Sequence, residues 1–480
     1  MKRITVALTV GAATLAAAPT AFAQDVASQS VELSAAQMRL AAEASLHKNH
    51  PDRALVFADA LLKRDPNDVT ALLIRSHALR SLRQYAPAQK AARAAWRNAD
   101  TENQKFSAAM LMAQSLSSDG KRTRAQLWLR RAAQVAPSKG HAVRAAQDFR
   151  YVQQRNPWQT HLSFTLAPNS NINNGSARDS STLLYEVFSP LFGENVEVDL
   201  GAASQALSGV EMGFNVQSRY RFKQTERQAH DLRLGMSYRT YILSQSSQDD
   251  LDAEDTERTT RGEPARNVEG SDFSYGTLKL GYGYKQLRAD RRGEFSFNAD
   301  LGQTFYGGKR YNSFLQASIG QTYQTSATTR LSFGLSGDIR NAQRGDDYET
   351  VRLSGGISRK LSNGDGLYLG ATAAASYSDV ERLEYNEVGL RSSYVLGRDI
   401  KGTSLQFAVS TSFRDYDVSP HDPSGRREFT VGGEVTATFK QIDYYGFNPS
   451  ISLTASKTNS NIGLYDVNRV GLSIGIASAF

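Results

Sequence analysis

The chain has 480 residues, a formal net charge of +8 and no cysteine, which excludes disulfide staples and a lipid-anchored N-terminal cysteine. Residues 24–150 carry 20 Lys+Arg against 11 Asp+Glu and residues 151–480 carry 34 against 37, so the basic character belongs to the first part and not to the whole surface. Past the opening residues, no stretch approaches the roughly 20 apolar residues that a helix needs to cross a bilayer.

In chain order the first element is a leader. Lys2 and Arg3 precede an apolar run from Ile4 to about Ala18, followed by Ala21-Phe22-Ala23, the small-x-small pattern of a signal-peptidase site. Cleavage after Ala23 is expected, and with it export of residues 24–480.

Residues 24–155 are rich in Ala, Leu, Arg and Gln and read as a helical repeat domain. The segments "RALVFADALLKRDPND" (53–68), "APAQKAARAAWRNADT" (86–101) and "RAQLWLRRAAQVAPSK" (124–139) repeat one another. Ala54, Ala88 and Ala125 open the apolar spacing, Ala58 with Leu61, Ala92 with Ala95 and Leu129 with Ala132 continue it, and Pro66, Asp100 and Pro137 close it. Amphipathic helices precede two of these segments, "AAQMRLAAEASLHK" and "VTALLIRSHALRSL". The period resembles the tetratricopeptide (TPR) repeat, in which small residues let paired helices approach and about three units are needed for a stacked core. The inward positions usual for that repeat predict Arg39, His77, Arg80, Gln104 and Gln114 on a concave groove that receives a polypeptide. His47 and His50, with no further ligand nearby, read as a solvated face rather than a metal site.

From residue 156 onward Gly, Ser, Thr, Tyr and Phe dominate, and the period becomes two. In "VEMGFNVQSRYRF" (210–222) Val, Met, Phe and Val alternate with Glu, Gly, Asn and Gln, one face apolar and the other wet. Similar segments recur over 159–168, 208–222, 229–244, 271–287, 293–306, 310–323, 329–341, 348–361, 366–378, 384–397, 403–415, 427–440, 447–458 and 465–480. Fourteen strands joined alternately by short links and by longer ones predict a transmembrane barrel with both termini at the periplasmic side. The predicted fold is therefore an α + β multidomain chain, TPR-like helical repeats followed by a 14-stranded antiparallel transmembrane β-barrel over 156–480. In the last strand Val470, Leu472, Ile474 and Ile476 are expected to face lipid and Gly471, Ser473 and Gly475 the lumen.

Chemistry-bearing motifs are few. Gly471-Leu472-Ser473-Ile474-Gly475 matches the G-x-S-x-G of hydrolases, but that motif needs a strand, a sharp turn and a helix, and here it lies within a regular alternation. The acidic run "QDDLDAEDTE" (248–257) lacks the spacing of a calcium loop and reads as a solvated external loop. No catalytic residue, cofactor or metal site is expected. A membrane-embedded phospholipase is disfavoured for want of a triad.

Three further segments, "TLAPNSNINNGS" (165–176), "LSG" (207–209) and "GFNPSISLTASKTNSNIGLYDVNRVGLSIGIASAF" (446–480), resemble the barrel of the surface lipoprotein assembly modulators, the Slam family of type XI secretion. The likeness rests on Pro168, Asn169, Ser170, Asn171 and Asn173, then Gly446, Pro449, Ser460, Asn461, Tyr465 and Phe480. It implies a periplasmic repeat domain, an outer-membrane barrel that delivers an exported protein to the cell surface, and a chain end in which Tyr465 and Phe480 serve barrel closure and the insertion signal read by the assembly machinery. It implies as partners an exported cargo, a periplasmic chaperone, that machinery and outer-membrane lipid, with no nucleic acid, for a monomer. The repeats are fewer and richer in Ala than the family's, and some relatives carry lipoproteins whereas others carry soluble binding proteins. The Asn-rich segment 169–174 suits either a loop packed inside a polar lumen or a plain external loop. The alternative function is an exopolysaccharide-export porin with a TPR domain.

Overall fold

The computed structural model describes residues 5–6, 31–183, 190–191, 196–442, 444 and 447–478. The leader's cleavage site, Gly446 and Phe480 lie outside these residues. The main boundary between the chain's two compact units falls between Asn156 and Pro157.

The first unit contains seven helices: α1 (Ala35–His47), α2 (Pro51–Arg64), α3 (Val69–Ser81), α4 (Tyr85–Asn98), α5 (Glu102–Ser118), α6 (Arg122–Gln134) and α7 (Lys139–Arg155). Each packs on the next, and α3 also meets α1 and α5, the stacked helical hairpins of a TPR-like array. The helix starts follow local chemistry. Ser34 with Gln37 and Thr101 with Gln104 form capping boxes, and Asp68 accepts the Ala71 N–H to begin α3, each satisfying N–H groups that the first turn leaves without partners. The repeating alanines are the close-approach points: Ala54, Ala58, Ala88, Ala92, Ala125 and Ala132 have no exposed surface. Around them Phe57 and Leu61 build one core, and Phe106, Met112, Leu116, Trp128 and Phe149 another. Trp96 meets Trp128 edge-on at 5.4 Å between ring centroids.

The second unit is a closed barrel. Its strands are β1 (Trp158–Asn169), β2 (Gly209–Gln224), β3 (Gln228–Leu243), β4 (Tyr275–Leu287), β5 (Gly293–Tyr306), β6 (Lys309–Gln324) and β7 (Thr329–Ala342). They continue with β8 (Tyr348–Lys360), β9 (Gly366–Tyr377), β10 (Tyr385–Val395), β11 (Thr403–Tyr416), β12 (Arg426–Phe439), β13 (Phe447–Ser460) and β14 (Val467–Ser478). Fourteen strands run antiparallel in sequence order, and β14 returns to β1. The fold class, the strand number and the facing of β14 agree with the sequence reading. The start of β4 does not, because residues 270–273 form a 3₁₀ turn capped by Glu269 and Asp272.

Closure explains the alternation. Outward positions are large and apolar and remain exposed, as at Leu301, Leu353, Leu390 and Ile474. Inward positions are small or polar, as at Ser354, Thr372, Ser410 and Thr430 opposite Gly334, Gly389, Gly432 and Thr458. A continuous aliphatic belt on a closed cylinder is what a lipid surface requires, and every strand pair except β14–β1 is bonded along its length, which gives backbone polar groups in hydrocarbon their partners within the protein. Short links such as 225–227, 288–292 and 325–328 share one end of the barrel with the start of β1 and the end of β14. The long links 170–208 and 244–274 lie at the other end. At that same end β5 and β6 join through Gly307 and Gly308 alone, both with positive φ (+54° and +71°), as a two-residue hairpin of matching twist requires.

The acidic run is a helix rather than a loop: α8 spans Gln245–Thr260. Ser244 caps it by accepting the Ser247 N–H, Leu251 is buried, and the Asp255 carboxylate accepts N–H groups from Arg266 and Asn267 at 2.7 and 3.0 Å. Carboxylates that would repel along a free segment are thus spent on local backbone donors.

Candidate functional site

Three regions could carry function: the groove of the helical unit, the barrel lumen, and the long-loop end where β1 meets β14.

In the helical unit Arg80 and Gln114 line one cavity of about 500 Å³ together with Arg122, Asp148, Tyr151 and Arg155. The Arg155 guanidinium lies 3.7 Å from the Tyr151 ring centroid, and the buried Nε of Arg80 makes no hydrogen bond among the described residues. A half-buried pocket with three guanidinium groups and one carboxylate favours an anionic guest. The other expected groove residues serve elsewhere. Arg39 donates to the buried Asp68 carboxylate at 2.6 Å, neutralising the cap of α3. The Gln104 side chain accepts the N–H groups of Asp100 and Thr101 at 3.0 and 3.2 Å, which commits it to the start of α5. His77 is half-buried on α3, and burial first, then Arg80 and His47, holds its imidazole below the ordinary histidine range. Asp148, Tyr151 and Arg155 escaped sequence reasoning because the period search ended at residue 139. Their i, i+3, i+7 spacing on the seventh helix was the available signal.

The lumen is polar and charge-paired. Arg221 donates to Asp231 at 2.8 Å, and Arg233 and Lys279 approach Asp300 at 3.5 and 3.7 Å. Toward the long-loop end a ladder of cations and rings forms. Arg414 lies 4.5 Å from the Tyr385 ring centroid, and Arg426 lies 3.6 Å from that of Tyr416 and 4.0 Å from that of Tyr465. Tyr465 therefore does not close the barrel as a strand residue. It sits in the 3₁₀ turn Gly463–Tyr465 before β14, held under the Arg426 guanidinium, which a ring face attracts. Phe480, expected to share that role, lies outside the described residues.

The Asn-rich segment turns inward. Ile172 packs in an apolar cluster with Leu207, Tyr241, Leu243 and Leu251, which ties the residues around Ile172 and Leu207 and α8 to the end of β3. Asn171 is fully buried. Its Nδ2 donates to the carbonyls of Gly175 and Asn468 at 2.8 and 3.2 Å, and its Oδ1 accepts the Gly175 N–H at 2.9 Å. Asn173 donates to the Gln205 carbonyl at 2.7 Å and accepts the Leu207 N–H at 2.9 Å. Gly175 admits no side chain, since a Cβ there would fall 2.1 Å from the Gln205 carbonyl oxygen. Asn169 donates to Glu211 at 3.2 Å, and Ser170 both donates its N–H to the Val470 carbonyl and accepts the Val470 N–H on its hydroxyl. Pro168 ends the outward face of β1 next to this latch. Five of the residues on which the family resemblance rests, Pro168 to Asn171 and Asn173, thus lie together where the first strand meets the last, at the long-loop end, whereas Pro449 lies near the start of β13 at the other end.

G-x-S-x-G lies inside β14, and among the described residues no group of acidic or histidine side chains could hold a metal. No helix among the described residues is long and apolar enough to cross a membrane.

No family model matches this chain, and no curated protein matches it. Solved structures are similar to its two parts separately. The TPR2B domain of yeast Sti1, in complex with pHsp70, is 18% identical over 25% of this chain and 97% of its own, with a TM-score of 0.23. The outer-membrane protein OmpT of Vibrio cholerae, with loop L8 deleted, is 7% identical over 67% of this chain and 98% of its own, with a TM-score of 0.32. The anion-selective porin of Comamonas acidovorans is 10% identical over 67% of this chain and 100% of its own, with a TM-score of 0.30. These likenesses are remote. The chain's own closed, lipid-belted cylinder is what makes it a membrane barrel of the outer-membrane type.

Proposed function

We propose that this protein is an outer-membrane translocator that delivers a specific exported protein, a surface lipoprotein or a soluble binding protein, to the cell surface in the manner of the Slam family. The helical unit stands in the periplasm and engages the cargo or its chaperone, and the barrel forms the passage. The observation that carries the reading is the latch: Pro168, Asn169, Ser170, Asn171 and Asn173, which form the first group of residues in the family resemblance, converge on the meeting of β1 and β14. A three-guanidinium cavity in the helical unit supports an acidic segment as the first contact. A barrel of fourteen strands is wider than the eight-stranded kind that side chains fill, yet too narrow for a folded domain, so the cargo crosses unfolded or through the wall. The leader directs the chain to export, the assembly machinery inserts it, and it works as a monomer without catalysis or a cofactor.

The test is deletion of residues 24–150. Surface labelling of intact cells is expected to show loss of the delivered protein while heat-dependent gel mobility shows the barrel still inserted; unchanged delivery overturns the reading.

A second reading, export of a polysaccharide, is favoured by one feature, the ladder of Tyr385, Arg414, Tyr416, Arg426 and Tyr465, since sugar rings stack on aromatic faces. Single-channel recordings that show a permanently open pore blocked by soluble polysaccharide would establish it over the first.

A further inference from the structure

The meeting of β1 and β14 differs from every other strand pair in the barrel. On its other edge β1 is bonded without interruption from Trp158↔Tyr220 to Asn169↔Gly209. Likewise β14 is bonded to β13 from Phe447↔Ser478 to Thr458↔Val467. Between β1 and β14 a single register pair exists, Gly471↔Asn169, at the long-loop end. Continuing that register would set Ser473 against Ala167 and Gly475 against Thr165, and no such pairs form. Alternate residues over 159–168 of one strand and 472–478 of the other, in the phase of Ser170 and Val470, therefore present backbone polar groups to the seam with no ladder partner among the described residues, the residues between them being bonded to β2 and β13.

One end of the seam is fastened. Ala177 donates its N–H to the Asp466 carbonyl at 2.6 Å, Arg178 reaches the Asp466 carboxylate at 2.7 Å, and Ser176 donates to the Gly463 carbonyl at 2.7 Å. Arg469 donates to the Asn171 carbonyl at 3.0 Å. The latch holds β1 and β14 side by side at the long-loop end and leaves them unbonded toward the short-link end.

Open backbone edges in hydrocarbon cost several kcal/mol per unsatisfied group. An extended polypeptide is the guest that offers donors and acceptors on both of its edges at strand spacing. The strands that flank the seam also set its side-chain pattern. Leu162, Phe164 and Leu166 on one side and Leu472, Ile474 and Ile476 on the other are exposed to the outside, while Ser163, Thr165, Ser473 and Gly475 face in. From these edges we infer that the β1–β14 seam is a docking site for one extended strand of the exported protein, alternating apolar outward and small or polar inward. The latch argues against a second copy as the guest: it keeps the two edges of one chain adjacent, so a guest must part them from the unbonded end, which one strand can do and another barrel wall cannot. The inference rests on the translocator reading and adds to it the place and form in which cargo is held.

Because the chain has no cysteine, the seam can be locked cleanly by Thr165→Cys with Gly475→Cys. The probe is a synthetic peptide with the sequence of residues 467–480, VNRVGLSIGIASAF, carrying a photoreactive group at the position of Leu472, added to full-length protein in liposomes. The reduced double variant should label within residues 158–168, and oxidation should cut that labelling at least tenfold. Thr436→Cys with Ser452→Cys, directly opposed in the bonded β12–β13 pair, should label equally oxidised or reduced. Reversal by reductant and heat-dependent mobility separate locking from misfolding. Equal labelling of the locked seam, absence of labelling in the reduced protein, or a dimer joined across the seam each overturns the inference. In cells, surface delivery that survives the lock but is lost on deleting residues 24–150 overturns docking at the seam alone; delivery that survives both overturns the translocator reading.

Discussion

The helical unit and the barrel use similar apolar residues under opposite rules. In the helical unit alanines vanish from the surface, and Ala58, Ala92 and Ala132 have no exposed area. In the barrel outward leucines stay open, with Leu353 at 59% and Leu390 at 64%. One unit is held by packing of its own side chains away from water. The other is held by backbone ladders, and its apolar face is complementary to lipid. Equal exposure therefore carries different meaning in the two, which four measurements can sharpen or break.

The largest effect is expected from a charge in the belt. Leu353→Arg, near the middle of β8, should cost about 2–4 kcal/mol of barrel stability, read as a lower urea midpoint for folding into vesicles. Leu127→Arg on α6, which is 54% exposed, should change stability by no more than about 0.5 kcal/mol. Equal effects would mean that the belt does not face lipid.

Next is the latch. Asn171→Ala removes the partner of the Gly175 N–H and of two carbonyls, and leaving such buried groups unmet costs about 1–3 kcal/mol. The expected result is faster proteolysis within 170–208 and a lowered barrel midpoint; an unchanged cleavage rate would show that the segment is held by its apolar cluster alone.

A comparable or smaller loss should follow from overpacking. Ala92→Leu in the helical core is expected to cost about 1–3 kcal/mol, seen as an earlier thermal loss of the helical circular dichroism signal in the full chain. Ala373→Leu, on the outward face of β9, adds methylenes where lipid can make way and should leave the barrel unchanged.

The smallest is a pH effect. Burial, with Arg80 and His47, lowers the His77 pKa in the folded state, so the unfolded chain binds the proton more readily. The contribution of His77 is complete above the ordinary value of about 6.5 and is lost as pH falls from there through the lowered folded value. Thermal melting of the helical signal between pH 7.5 and 5 should show this slope, and His77→Gln should flatten it while leaving the barrel's pH response as it was.

The elements were legible because their periods are strong. A two-residue alternation repeated over many segments identified the strands, and the i, i+4 alanines identified the second helix of each hairpin. Ser34 with Gln37 and Thr101 with Gln104 have the spacing of capping boxes, a local signal that the helical period alone does not show. The groove was less legible. Arg39 and Gln104 occupy plausible inward positions, but each is claimed by a neighbour, the Asp68 cap and the α5 N-terminus, and such competition depends on distances that a linear pattern does not contain. The acidic run misled for a related reason: its composition favours solvent, and only Leu251 docking beneath it and Arg266 and Asn267 donating to Asp255 make a helix the better solution.

By itself, the amino-acid order determined the helices of the repeats, the fourteen strands and which face of each strand is apolar. These follow from side-chain size, polarity and period, all local properties. Only the tertiary structure decided that Asn169 to Asn173 latch the first strand to the last, that Tyr465 stacks beneath Arg426, and that the β1–β14 seam is bonded at one end alone. Those outcomes depend on residues far apart in the chain, nearly three hundred positions in the latch, and three-dimensional closure brings them within reach of one another.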